Sequence, residues 1–226
     1  ADSTESPQCD PLLPFECSLP FPSSFWTEED KHSVTGQKLD LKSVIPSTRW
    51  SSSFYLGQMF HKRSFLNHDG FSTVAPILFG FEHEVKISTL VGASNISLSL
   101  NKKRSTTFLI HSETGDLIPH FVDKDYFDPT FGLNDEPNDE RRLLILQPAI
   151  ALDHNSTYVV AIVPGMRYES SGDLVPIPTE GYFAALRDDN KKDSSYDEKR
   201  AKNMNKNVWP ALLKAGIDRK TLLLSF

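Results

Sequence analysis

The stretch that most limits how this chain can fold runs from Thr106 to Gly165. "TTFLIHSETGDLIPHFVD" places two apolar runs around Glu113-Thr114-Gly115-Asp116, with a glycine where a hairpin turn needs positive φ. "RRLLILQP" (141–148) reads as a continuous apolar strand of the buried kind, and "STYVVAIVPG" as another. "TVAPILFGF" upstream and "GYFAALRD" downstream read as further short strands. Fifteen prolines and eleven glycines punctuate these runs, so the connections are many and the elements short. The expected fold is mainly β: an Ig-like antiparallel β-sandwich over residues 69–188, with an N-terminal arm before it and a helical segment plus a terminal strand after it.

One connection carries more detail. In "LQPAIALDHNSTYVVAIV" a strand ends at Pro148, an apolar triplet and a polar turn follow, and Tyr158 opens the next strand. A tyrosine at that point can return its hydroxyl to the backbone of the preceding corner, as tyrosine corners do in Greek-key sandwiches. The bland alternative is a tyrosine chosen for its strand propensity.

Residues 1–68 have little periodicity. "CDPLLPFECSLPFPSSFWT" (9–27) is too proline-rich for a helix or a central strand. Phe21, Phe25 and Trp26 are apolar anchors, so an arm lying on a core formed elsewhere is expected. Cys9 and Cys17, the only cysteines, are expected to form a disulfide that staples this arm. Buried inert thiols are the alternative; a metal site lacks ligands, because His32 is the nearest histidine. Two N-x-[ST] sequons, Asn95-Ile96-Ser97 and Asn155-Ser156-Thr157, fit the same oxidising, secretory route. Ala1 and the polar stretch behind it read as a mature end left by processing. A secreted, extracellular glycoprotein is the expectation.

After residue 188 the texture becomes polar and helix-prone. Ser194 or Ser195 is the expected cap, Asp197 and Glu198 suit a first turn, Pro210 kinks the helix or starts a second one, and Gly216 ends it. Ala211, Leu212 and Leu213 are the expected apolar face. The segment Leu222, Leu223, Leu224, Ser225 and Phe226 reads as a buried strand with nothing polar behind it. An unpaired apolar edge invites association, so a partner chain or a continuation is expected to complete that sheet.

The net charge of −6 gives no reason to expect nucleic acid or an anionic membrane as partner, and no apolar run is long enough to span a bilayer. No cofactor is expected. The acidic loop with Asp123, Asp125, Asp128, Asp135 and Asp139 lacks the glycine and distal glutamate of an EF-hand, so a solvated loop is favoured over calcium. His61, His68 and Asp69 do not match a zinc-ligand spacing. Ser94 lacks the final glycine of a G-x-S-x-G elbow, and Ser99 to Lys102 matches S-x-x-K with no second signature. No catalytic set is expected in these residues.

Seven stretches in order, "CDPLLPFECSLPFPSSFWT", "TGQKLDL", "DGFSTVAPIL", "SETGDLIPHFVD", "RRLLILQPAIALDHNSTYVVAI", "FAALRD" and "WPALLKAGIDRKTLLLSF", resemble the N-terminal half of large secreted proteins, mostly bacterial, whose C-terminal half is α/β-hydrolase-like. The resemblance spans nearly the whole chain. It implies a non-catalytic front portion that positions or shields a serine-esterase or lipase-type half, that half being the expected partner. The serine elbow of the family lies in the later half and has no counterpart here. An extracellular adhesion or structural glycoprotein without activity is the other reading. A weaker third is glycan binding by Trp26, Trp50, Phe54 and Tyr55, which read more readily as anchors.

Overall fold

The computed structural model describes residues 10, 12–13, 19–40, 68–125, 142–179 and 181–226. It is mainly β, with several antiparallel sheets and few helices. The chain enters through a small hairpin, β1 (Thr27–Glu29) and β2 (Gln37–Leu39), then gives β3 (Ile77–Phe79) and two 3-10 stretches, Ile87–Thr89 and Ala93–Leu100. Next come β4 (Thr107–His111), β5 (Leu117–Ile118), β6 (His120–Lys124), β7 (Leu144–Pro148) and β8 (Tyr158–Ile162). The hairpin β9 (Arg167–Ser170) and β10 (Asp173–Pro176) follows. Helices α1 (Gly181–Asp188), α2 (Glu198–Asn203) and α3 (Trp209–Ala215) lead to β11 (Leu224–Ser225).

Two sheets carry the core. One has the order β11-β8-β4-β5 and the other β3-β7-β6. The hairpin around Gly115 forms as its turn chemistry dictates: β4 pairs antiparallel with β5, and Gly115 sits at φ +80°. Close approach adds a second demand on that glycine. A Cβ there would lie 2.7 Å from Lys214 Cβ and 2.8 Å from the Lys214 carbonyl carbon. Pro119 then ends the β5 ladder, because it has no N–H to give, and the chain crosses to the other sheet as β6.

The first four residues of β4, Thr107–Ile110, are all buried, as are Val159–Ile162 of β8. A strand buried on consecutive positions needs cover on both faces, since its side chains alternate. Helix α3 packs against β4 and β8, and Thr107 reaches across to His120 of β6. Phe79, Phe108, Leu109, Leu144 and Leu146 join one core cluster, and each is essentially inaccessible. Burial of such a side chain is worth about 1.5–3 kcal/mol.

Several sequence expectations need correction. β7 is not buried throughout: Leu144, Leu146 and Pro148 point inward while Ile145 and Gln147 are half-exposed, the alternation of a one-sided sheet. "GYFAALRD" is helix α1, not a strand; Phe183, Ala185 and Leu186 form its inward face at helical spacing. The cap of α2 is Asp197, whose carboxylate accepts the Arg200 N–H, whereas Ser195 turns to the Asp193 carboxylate. Pro210 takes the second of its two expected roles and starts a helical segment. A π-turn over Met204–Val208 joins α2 to α3, and Trp209 N–H donates to Met204 O, so the ring of Pro210 enters at the start of a fresh α segment. Gly216, at φ +68°, ends α3 as a left-handed cap. Leu213 is 81% exposed and does not belong to the apolar face.

The N-terminal residues do not merely lie on the core. Leu12, Leu13 and Leu19 belong to the same cluster as Ala201, Met204 and Val208 of the helical segment. Trp26 anchors a smaller cluster with Leu39, flanked by Phe21, Phe25 and Phe71, and its indole N–H donates to Pro20 O at 3.1 Å. Cys9 and Cys17 lie outside the described residues.

The terminal segment forms the expected buried strand, and one of its edges finds a partner within this chain. Leu224 and Ser225 pair antiparallel with Ile162 and Ala161 of β8, inside this chain. Leu223 N–H donates to Ile162 O at 2.8 Å, and Val160 N–H donates to Phe226 O at 2.9 Å. Leu222, Leu223, Leu224 and Ser225 are buried, and Phe226 is half-buried against the core. One edge of β11 is thus paired within this chain; β11 stands at the end of its sheet, and among the described residues no strand lies along its other edge.

Candidate functional site

The described residues place the two sequons on open surface. Asn95 lies in the 3-10 stretch Ala93–Leu100 and is exposed; its φ of −141° and ψ of 47° break the helical path there. Ser97 Oγ faces Asn95 Oδ1 at 3.5 Å. Asn155 is exposed in the β7–β8 turn at φ 53°, a left-handed conformation that asparagine tolerates. Either amide has room for a bulky, solvated glycan.

The turn that carries Asn155 is pinned. Tyr158 Oη accepts the Asp153 N–H at 2.8 Å, a hydroxyl reaching back five residues into the corner it closes. Its ring meets His111 edge-on at 5.1 Å, and Ser112 N–H donates to Thr157 O. Burial of the ring raises the phenol above its ordinary value, more than the Asp153 N–H lowers it.

Two buried polar stations lie inside. The first is His120, which is fully buried. Its Nδ1 lies 2.9 Å from Ile118 O, which can only accept, so Nδ1 carries the proton. Nε2 then accepts from the Thr107 hydroxyl at 2.9 Å. The backbone N–H of His120 donates to Ser99 Oγ, and Ser99 donates to Ile96 O. Burial pushes the imidazole below its usual pKa, and the hydrogen bonds with Ile118 and Thr107 oppose that without cancelling it.

The second station joins the two ends of the chain. Arg200 of α2 and Asp10 are both buried, with Nη2 at 3.0 Å from Asp10 Oδ2. Nη1 donates to Ser24 Oγ at 3.2 Å and Nη2 to Ser23 Oγ at 3.3 Å. Asp10 Oδ1 also accepts the Leu12 N–H, and Ser23 Oγ donates to Asp10 Oδ2. The Phe25 ring lies 6.0 Å from the guanidinium carbon, and Nε is buried with no hydrogen-bond partner among the described residues. Burial pushes the Asp10 carboxyl up, and the attraction of Arg200 opposes that without cancelling it.

The other candidates resolve structurally. Ser99 is buried and spent on backbone groups, while Lys102 is exposed, so the S-x-x-K spacing brings no nucleophile to a base. Ser94 is exposed on the 3-10 stretch. Trp26 is fully buried and cannot stack on a sugar; Trp50, Phe54 and Tyr55 lie outside the described residues. Asp123 is exposed on β6 and its carboxylate accepts the Lys124 N–H; Asp128, Asp135 and Asp139 lie outside the described residues. His68 is exposed and Asp69 half-exposed, while His61 lies outside the described residues. Among the described residues no group of three or more His, Cys, Asp or Glu side chains could hold a metal ion. No helix among them is long and apolar enough to cross a membrane.

Sequence reasoning missed Asp10, His120 and Arg200. Arg200 had a signal: it heads the stripe Arg200, Met204, Val208 at four-residue spacing, an arginine on an apolar face. His120 had none, being one polar residue at a strand start. Comparison with protein-family models, with curated proteins and with solved structures finds no match.

Proposed function

We propose that this chain is the non-catalytic, Ig-like β-sandwich module of a secreted glycoprotein, and that it positions or shields a companion domain of the α/β-hydrolase type. The observation that carries the non-catalytic part is how the buried polar groups are used. His120, Thr107, Ser99 and Ser225 are bonded to each other or to backbone, and Asp10, Ser23 and Arg200 hold one another. These groups serve the fold and leave no poised base or nucleophile among them. Secretion rests on the two sequons, whose asparagines are exposed and so accessible to a glycan. The companion rests on the ordered motifs that resemble the front half of hydrolase-like proteins.

Closure of β11 on β8 changes how such a companion would dock. It would not pair along the β8 side, where β11 already lies; the outer edge of β11, which has no strand beside it among the described residues, remains open to it. The same closure favours a second reading, an extracellular binding or structural glycoprotein that needs no hydrolase beside it.

Native secreted material separates the readings. Glycosidase treatment is expected to remove one glycan from Asn95 and one from Asn155. A fluorophosphonate probe is expected to label a companion chain and leave this chain unlabelled. Labelling of this chain would sink the non-catalytic reading; glycosylated material with neither companion nor labelling would leave the adhesion or structural reading. Absence of glycan from both asparagines would remove the support for secretion.

A further inference from the structure

The partners of Arg200 have an asymmetric origin. Among the described residues, every side-chain group that touches its guanidinium comes from the N-terminal segment: Asp10, Ser23, Ser24 and the ring of Phe25. The helix that bears Arg200 contributes none of these contacts; its cap Asp197 accepts the Arg200 backbone N–H and attracts the guanidinium only as a weaker, second charge after Asp10. The remaining donor, Nε, is buried and unpaired among the described residues. A guanidinium cannot shed its proton, so once its partners leave it must reach water or remain an uncompensated buried charge. A carboxylate left alone can take up a proton instead.

We propose that Asp10 and Arg200 form a one-way conformational latch, in which α2 keeps its seat only while the N-terminal strap (Asp10 with residues 19–26) supplies the carboxylate. The strap is in position to act this way, because Leu12, Leu13 and Leu19 share a core cluster with Ala201, Met204 and Val208. Displacing the strap therefore removes apolar cover and strands the Arg200 cation in one step. The α2 turn and the π-turn behind it are the elements that must move to let Arg200 reach solvent. The reverse perturbation is milder, since removing Arg200 leaves Asp10 able to neutralise itself. Seating of the strap is thus reported to the C-terminal helices more strongly than the helices report to the strap.

Hydrogen exchange of the full chain, read over residues 198–208 and 19–26, tests this in Asp10→Asn, Arg200→Met and the double variant. Asp10→Asn keeps the shape of the side chain, removes the charge and turns one of its two acceptor oxygens into a donor. It is expected to raise exchange in 198–208 roughly a hundredfold, the scale of breaking a buried pair on one side. Arg200→Met should raise it less, and the double variant should return most of the protection lost in Asp10→Asn. Unchanged exchange in 198–208 for Asp10→Asn, or a double variant no better protected than Asp10→Asn, overturns the latch. Should Asp10→Asn not fold, Ser23→Ala with Ser24→Ala serves instead. That pair is expected to raise exchange in 198–208 about tenfold, and no change there overturns the proposal equally.

Discussion

The two buried polar stations solve the same problem in opposite ways. His120 is neutral, and each ring nitrogen has one partner of the right kind. The Asp10–Arg200 station is charged, draws on residues far apart in sequence, and leaves one donor without a partner among the described residues. A neutral satisfied group can sit in a low dielectric at modest cost, whereas an ion pair there stays stable only while both members are present. The first station ties sheet to sheet. The second ties the beginning of the chain to its last helices, and its stability is conditional.

The largest way to break the contrast is Asp10→Asn. Stranding Arg200 should cost about 3–5 kcal/mol, measured as a lower denaturation midpoint with an unchanged slope. A loss below about 1 kcal/mol would mean that the station behaves like a surface pair.

Thr107→Val should cost less, about 1–3 kcal/mol, because it leaves Nε2 of His120 buried without its donor and changes little in shape. Chemical denaturation against the parent protein measures it. A loss as large as that of Asp10→Asn would erase the distinction between the stations.

Acidification sharpens the comparison through its sign. The folded pKa of His120 lies below the unfolded value of about 6.5, so the unfolded chain binds the proton more readily. Its contribution is complete above that value and is lost as pH falls from there toward the folded pKa. Stability followed from pH 7 to pH 5 should therefore fall in the parent protein, and His120→Gln should flatten that slope. A slope that survives in His120→Gln would assign the acid response to another group.

The smallest effect expected is that of Tyr158→Phe. It removes the hydroxyl that accepts the Asp153 N–H in a partly solvated turn, and should cost about 1 kcal/mol. A neutral result would leave the corner as a consequence of strand propensity alone.

Particular elements show where sequence was enough. The hairpin at Glu113–Asp116 was legible because turn chemistry is local: Gly115 takes a positive φ whatever surrounds it. Gly216 was legible as a helix stop for the same reason. β4 and β8 were legible as runs of apolar residues. "GYFAALRD" was misread because a short apolar stretch suits either period, and its Phe183–Leu186 spacing was the only clue to a helix. The burial of β7 was overread because Ile145 is apolar yet faces outward.

Within the candidate site, the sequons and Tyr158 could be named from residue type and neighbours. The His120 station could not, and Arg200 offered only its place at the head of an apolar stripe; its role takes shape once Asp10, Ser23 and Ser24 are brought to it.

Taken alone, the order of residues determined the local matters: which runs extend, where glycine turns the chain, which asparagines can accept a glycan. Tertiary structure decided the rest, namely that Leu224–Ser225 pairs with β8 and that Arg200 is buried on a carboxylate from the other end of the chain. The physical reason is range. A dihedral preference acts between neighbours, whereas burial and ladder pairing depend on which distant surfaces come into contact, and residue type alone does not encode that choice.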